Sequence, residues 1–209
     1  MVWNTTYHIT WTSANDCSDS ILPVMKQVEM SLSPFNAGSV ISAINRSESM
    51  TVDRHIIKVF EKSQEINRAS GGMFDPTVAP LVNLWGFGYG DKEPAVPTDL
   101  SIDSALRLVG ISQCQIAGGV MEKKSPGTQF NFSAITKGLG CDEVAAMLRR
   151  NGATDYMVEI GGELALGGLN RRGEPWRIQI DAPVNNDSSV THRRLMVISV
   201  TDCGVATSG

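Results

Sequence analysis

Tyr7, Ile9 and Trp11 alternate with His8 and Thr10, a period of two that predicts a short half-buried strand near the start of the chain. The period then lengthens. Leu22, Met25, Val28 or Glu29, and Leu32 mark one face of a helix that runs through Met30. Ser18 or Asp19 can cap it, and Pro23 falls in the first turn, where a missing N–H costs little. Met25 and Met30 are assigned to core packing. Ser33-Pro34-Phe35-Asn36 interrupts the pattern, and a short helix covers Ser39 to Asn45. Asp53 opens a second long helix, with Ile56, Val59, Phe60, Ser63 and Ile66 on one face and Lys58, Glu61, Lys62 and Glu65 exposed.

In GGMFDPTVAPLVNLWGFGYG, Gly71-Gly72 permits a tight turn, Asp75-Pro76 reads as a turn or cap, and Thr77 to Trp85 reads as a short apolar helix. Asp91 to Pro97 is a polar surface connection, and a helix follows over Leu100 to Val109, packing through Ala105, Leu106 and Val109. Gln113 to Ala117 and Val120 to Lys124 pair as strands about Gly118-Gly119. The chain is organised around Asn131 to Gly168: a strand end, a turn carrying Ala134 and Lys137, a helix of about a dozen residues, then a strand and a glycine-rich hairpin. Trp176 to Ile180 and the Val- and Ile-rich run Arg194 to Thr201 are further strands, with a loop over Pro183 to His192. Strands of the second half lack the helix-per-strand rhythm of a doubly wound sheet, so the fold class is α+β (mixed α/β), in a single domain.

With 209 residues and a formal net charge of −4, the chain can bury a substantial core and does not favour non-specific nucleic-acid binding. Cys17, Cys114, Cys141 and Cys203 are scattered, and His8, His55 and His192 are too dispersed to give a metal-site spacing. Cys141 reads as a small buried hydrophobe. No stretch approaches a membrane span, and no signal segment opens the chain, which fits either a cytoplasmic protein or one whose leader is absent. The ending VTDCGVATSG follows a strand with the start of another element, so the chain reads as incomplete there.

Chemistry concentrates in a few places. Lys137 opens a helix beside unpaired N–H groups, where it either snorkels to solvent or meets an anion such as a diphosphate; GxxxxGK[ST] is absent. Asn131 either stabilises the turn or offers its amide to a ring or ribose. Glu159 and Glu163 flank Gly161-Gly162 with shared side-chain directions, which suggests a metal neighbourhood or an exposed hairpin. Asp75 and Asp142 read as turn and first-turn helix residues. Phe35 is a satellite-core residue or a wall of a ligand site. Gly86, Gly88 and Gly90 alternate with Phe87 and Tyr89, which form an aromatic turn or a mobile wall over a flat ligand, and not a dinucleotide fingerprint. No Ser-His-Asp or Cys-His set is legible. The residues alone give an anion-and-aromatic pocket and no reaction.

TTYHIT, SLSPFNAGSVISAIN, GGMFDPTVAPLVNLWGFG, NFSAITKGLGCDEVAAMLRRNGATDYMVEIGGELALGG, GEPWRIQIDAP and ATSG, taken in order, resemble the ApbE family of FAD:protein FMN transferases over nearly the whole chain. The resemblance implies a T-fold-like domain that is not Rossmann. It also implies FAD bound with Mg²⁺, and transfer of FMN through a phosphoester to a threonine or serine of an acceptor flavoprotein, such as a subunit of a redox-driven sodium pump. It implies a periplasmic protein, lipid-anchored to the inner membrane. Some relatives instead hydrolyse FAD to FMN and AMP, and a non-catalytic FAD-binding protein is a third reading.

By position, the family's FAD-binding residues are implied at Met73, Phe74 and Asp75 (its AFD triplet), at Phe35 (its early aromatic) and at Trp3 (its opening methionine). The acid, alanine and lysine of its DLSAIAKG block fall on Asn131, Ala134 and Lys137; the alanine is a metal ligand through its carbonyl and the others contact FAD. Asn131 for an acid and Trp3 for methionine depart from the pattern. The family's H-x-x-D-P-x-T-G and A-D-A-x-x-T segments, which carry its presumed catalytic histidine region and most metal ligands, have no counterpart here. One carbonyl cannot hold an octahedral Mg²⁺, so this chain by itself is expected to be catalytically poor. The AITKG turn and the FDPTV and WGFG walls are expected to converge on one flavin dinucleotide.

Overall fold

We describe the protein from a computed structural model; the structure describes residues 3–89, 96–182 and 194–207. The Asp91–Pro97 connection falls outside them apart from Val96 and Pro97, as do Gly90 and the Pro183–His192 loop. The chain forms two compact units, Met1–Met25 with Lys137–Gly209, and Lys26–Thr136. The boundaries fall inside helices α1 (Ser18–Leu32) and α6 (Ser133–Arg150).

The first unit is built on an antiparallel sheet of β1 (Tyr7–Thr12), β4 (Asp155–Ile160), β5 (Glu163–Gly167) and β8 (Gly204–Val205), in the order β1-β4-β5-β8. Residues facing each other across an antiparallel pair point to the same side, so the register assigns the faces. Val158 and Ala165, with Ile160, pack on Cys141, Val144, Ala145 and Leu148 of α6 and on Ile21 and Met25 of α1. Tyr7, Ile9 and Trp11 join this face, as their alternation predicts. The opposite face carries Met157, Leu164 and Leu166 against β6 (Trp176–Asp181) and β7 (Arg194–Val200), a two-stranded ribbon. The sheet is thus covered on both sides. Val158, Ile160 and Leu148 are fully buried, and burying each such side chain stabilises by about 1.5–3 kcal/mol.

In the second unit, α2 spans Val40–Asn45, α3 Arg54–Ala69, α4 Ala79–Leu84 and α5 Asp99–Leu106, with a hairpin of β2 (Gln115–Ala117) and β3 (Val120–Glu122). Asp53 caps α3 as expected, its Oδ1 accepting from the His55 and Ile56 N–H groups at 2.9 Å each. Phe130 packs edge-on to Phe60 and stacks on Phe132 at 5.6 Å.

Several boundaries move, each for a local reason. Asp16, not Ser18 or Asp19, receives the first N–H of α1. The buried face of α1 is Ile21, Met25, Val28 and Leu32; Leu22 and Met30 lie off that stripe and are 39% and 48% exposed. The helix expected over Thr77–Trp85 is a 3₁₀ turn at Pro76–Val78 followed by α4. Pro80 has no N–H to give the Pro76 carbonyl, which accepts from Asn131 N–H instead at 2.8 Å. α5 ends at Leu106, which is exposed rather than packed. Gln113, expected to open a strand, instead ends a 3₁₀ turn over Ile111–Gln113, and the strand begins at Gln115. Residues 129–132 pair with no strand, and α6 runs for 18 residues rather than about a dozen. The fold is mixed α+β and not Rossmann: among the described residues every strand pair is antiparallel.

Candidate functional site

Of the residues singled out by sequence, Trp3 and Lys137 belong to the first unit, and Phe35, Met73, Phe74, Asp75, Asn131 and Ala134 to the second. Each group is described by itself.

In the second unit, Gly71 and Gly72 turn the chain out of α3 into Met73, which is 91% exposed. Phe74 is half-buried and held by its backbone, its N–H on Ser70 Oγ at 3.1 Å and its carbonyl on Asn67 Nδ2 at 2.7 Å. The Asp75 carboxylate is spent on the fold. Oδ1 accepts from the Thr77 N–H and hydroxyl, and Oδ2 accepts from the Ile111 N–H at 3.0 Å. Asp75 is therefore the cap that its Asp-Pro sequence suggests.

Asn131 is joined to this turn through the Pro76 carbonyl, and its Oδ1 accepts from Ser133 N–H at 2.9 Å. That bond opens α6 four residues before Lys137. Ala134 and Lys137 therefore lie within the helix and not on a preceding turn, and Asp142 lies mid-helix rather than in the first turn. Phe132 O accepts from Ile135 and Thr136 N–H, and Ala134 is exposed.

The aromatics divide. Phe35 is 71% exposed and Phe87 75% exposed. Tyr89 is anchored: its hydroxyl accepts from Asn45 Nδ2 at 3.0 Å and donates to Gln129 Oε1 at 3.3 Å. Burial pushes the phenol's pKa up, against the hydrogen bonds of Asn83 and Asn45. Phe35 meets Tyr89 edge to face, with centroids 6.4 Å apart. Sequence reasoning did not find Asn45 or Gln129; the available signal was a polar residue ending the apolar run VISAIN.

In the first unit, Lys137 Nζ reaches Glu163 Oε2 at 3.0 Å and the Gly161 carbonyl at 3.2 Å. Gly161 and Gly162, both at positive φ, form the two-residue turn joining β4 to β5. The register places Glu163 opposite Ile160 and Glu159 opposite Leu164, so the two acids point to opposite faces and do not share a direction. Glu159 accepts from Gly162 N–H at 2.7 Å and meets His8 Nδ1 at 2.7 Å. Glu159 is used in closing the hairpin, and Glu163 is paired with Lys137. Trp3 is half-buried, with its ring so close over Gly140 that a Cβ there would overlap it. Cys141 is buried as expected, and burial with the charges of Asp142, Glu163 and Glu159 pushes its thiol up to about 12.

In the second unit, exposed Phe35 and Met73 offer apolar faces; in the first, Lys137 offers an ammonium held beside Glu163 and the Gly161 carbonyl. Among the described residues no three acids, histidines or cysteines cluster, so magnesium here would draw on one or two side chains, backbone carbonyls and pyrophosphate oxygens.

The ApbE family profile matches residues 3–209. The FAD:protein FMN transferase of Vibrio cholerae is 36% identical over 214 residues, covering 98% of this chain and 63% of the relative. That of Haemophilus influenzae is 30% identical over 220 residues, covering 98% and 63%. The solved flavin transferase ApbE of Vibrio cholerae superposes with a TM-score of 0.87 at 35% identity, covering 100% of this chain and 69% of that one. The apo flavinyl transferase ApbE of Pseudomonas stutzeri gives 0.88 at 27% identity, covering 100% and 66%. The chain spans a little under two thirds of those first two relatives, 63% of each. On the match over nearly its whole length, the chain belongs to the ApbE family.

Proposed function

We propose that the protein moves FMN from FAD to a threonine or serine hydroxyl of an acceptor flavoprotein. The P–O–P bond of FAD breaks, a phosphoester forms between the FMN phosphorus and the acceptor oxygen, AMP leaves with the electron pair, and the hydroxyl proton is released. The observation that carries this reading is the family match over residues 3–209, with relatives named FAD:protein FMN transferase. In it, Phe35, Met73, Phe74 and Trp3 contact the flavin or adenine, Asp75 and Asn131 position the binding turns, and Lys137 faces the diphosphate. Charge builds on phosphoryl oxygens during the transfer, and a fixed ammonium lowers that barrier.

We also propose that the reaction depends on Mg²⁺, with the Ala134 carbonyl as one ligand. When bound, the ion would offset pyrophosphate charge. The 1–209 segment is taken as part of one flavin-transferase domain. The protein is placed in the periplasm, lipid-anchored to the inner membrane, with a redox-driven sodium pump subunit as the acceptor. No described helix is long and apolar enough to cross a membrane.

The test is to incubate the full-length protein with FAD, Mg²⁺ and an acceptor carrying the target residue. Covalent flavin is read by in-gel fluorescence and the modified residue by mass spectrometry. Labelled acceptor that disappears with EDTA and with a Thr→Ala acceptor is expected. Free FMN and AMP regardless of acceptor would establish a pyrophosphatase instead, and retained FAD without turnover a binding protein.

A further inference from the structure

We infer that Tyr89 is a positioning residue that fixes the orientation in which Phe35 presents a ring face to a planar ligand. The identity of that ligand rests on the flavin reading above; the geometry does not.

The backbone around Phe35 is held at both ends. Ser39, the N-cap of α2, donates its hydroxyl to the Ser33 carbonyl at 2.7 Å, and Gly38 N–H binds Asn36 Oδ1 at 2.9 Å. The ring itself extends 71% exposed from this fixed loop, and its ring contact is with Tyr89 at an interplanar angle of 80°. In a perpendicular pair Tyr89 covers at most one face of Phe35, so at least one face stays open for stacking.

Tyr89 is fixed in turn by the opposite end of the same helix. Asn45, the last residue of α2, is 5% exposed and is locked to Phe130 by two bonds: its Oδ1 accepts from Phe130 N–H at 2.8 Å, and its Nδ2 donates to Phe130 O at 2.9 Å. The same Nδ2 donates to the Tyr89 hydroxyl. Gln129 Oε1 receives both the Tyr89 hydroxyl and Asn83 Nδ2, the latter at 3.1 Å. One short helix thus sets the Phe35 loop at its start and the tyrosine at its end. A ring buttressed this way loses less freedom on stacking, which favours binding before any new contact is made.

FAD titrations followed by flavin fluorescence quenching, on the full-length protein and four variants, test this. Tyr89→Leu is expected to weaken FAD about 2- to 10-fold, the worth of an edge-to-face pair, and to reduce the quench. Tyr89→Phe, which keeps the ring but loses both hydroxyl bonds, should fall between Tyr89→Leu and the wild type in both. Phe35→Ala combined with Tyr89→Leu should bind no worse than Phe35→Ala alone. Additive losses in that double variant, or wild-type affinity and quench in Tyr89→Leu, would overturn the role. A second readout needs no flavin: the Phe35 ring-proton resonances should shift most in Tyr89→Leu and less in Tyr89→Phe. If that shift appears but the wild type takes up no FAD, the flavin reading is lost and the contact stands. If FAD binds and the resonances do not move, the positioning inference alone is lost.

Discussion

Lys137 Nζ lies 3.0 Å from Glu163 Oε2, a pair 26 residues apart in sequence and closed by the hairpin that the lysine also caps through the Gly161 carbonyl. The partners' side chains are 38% and 21% exposed, so the pair contributes little to folding, about 0–1 kcal/mol. An ammonium facing a diphosphate is another matter, since a hydrogen bond to a charged group is worth about 1.5–3 kcal/mol. Lys137→Met is therefore expected to weaken FAD about 10-fold or more while leaving the melting temperature within a few degrees of wild type. Isothermal titration alongside a thermal melt reads both. A large drop in melting with unchanged FAD affinity would make the lysine a structural strut.

The hairpin that holds this lysine depends on the absence of a side chain at Gly161. A Cβ there would sit 2.8 Å from Thr5 Oγ1, 3.0 Å from Thr5 Cγ2 and 3.3 Å from Lys137 Cδ, at a φ of +58. Gly161→Ala is expected to destabilise by about 1–3 kcal/mol, part left-handed strain and part overpacking. Adding Thr5→Ala removes both of the tightest contacts and should restore the overpacking share. Urea melts of the two singles and the double measure the coupling. Strict additivity would show that Thr5 is not what the new methyl meets.

What was legible in the sequence was what local physics decides. The alternation at Tyr7, Ile9 and Trp11, the Asp53 cap and the Asp75 cap all followed from neighbours in the chain. What escaped came from distant partners. α6 starts early because Asn131 caps it, and Asn131 is itself fixed by a carbonyl that Pro80 leaves free. Glu159 and Glu163 look paired along the chain, yet a two-residue turn between them puts them on opposite faces. The Lys137–Glu163 pair and the Asn45–Tyr89 bond link residues 26 and 44 positions apart, beyond any periodicity. At the candidate site, the Asp75 cap was legible but its bond to Ile111 N–H, 36 positions on, was not, nor was the partner of Lys137.

Cys141 sets a pH dependence. Its thiol is raised from 9.0 to about 12 by burial and by nearby carboxylates, so the fold favours the neutral form. The stability this gives is fully present below the unfolded cysteine's pKa and is lost as pH rises from about 9 toward 12. Cys141→Ala has no such loss. The stability gap between wild type and variant should thus be constant from pH 6 to 8, to within about 0.3 kcal/mol, and should narrow as the pH is taken above 9. Denaturant melts across that range measure it. A gap that widens at high pH would contradict the sign, and rapid alkylation of native Cys141 would contradict the burial behind it.

Gly88 bears on the aromatic wall through close approach rather than backbone conformation. A Cβ at Gly88 would overlap the Asn83 side chain and come within 2.9 Å of the Asn83 Cα. The Asn83 backbone belongs to α4 and has no room to retreat along its helix, so the loop has to move. Tyr89 is the next residue, and a shift of even about 0.5 Å lengthens its bond to Asn45 from 3.0 Å toward the limit of a hydrogen bond. Gly88→Ala is therefore expected to loosen FAD by no more than Tyr89→Leu does, within the same roughly 2- to 10-fold range, and to shift the same Phe35 ring resonances. Gly88→Ala/Asn83→Ala removes the overlapping amide but not the α4 backbone, and should recover affinity only in part. Full recovery would mean that the amide alone sets the distance between loop and helix. No loss in Gly88→Ala would mean that the loop moves without taking Tyr89 from Asn45.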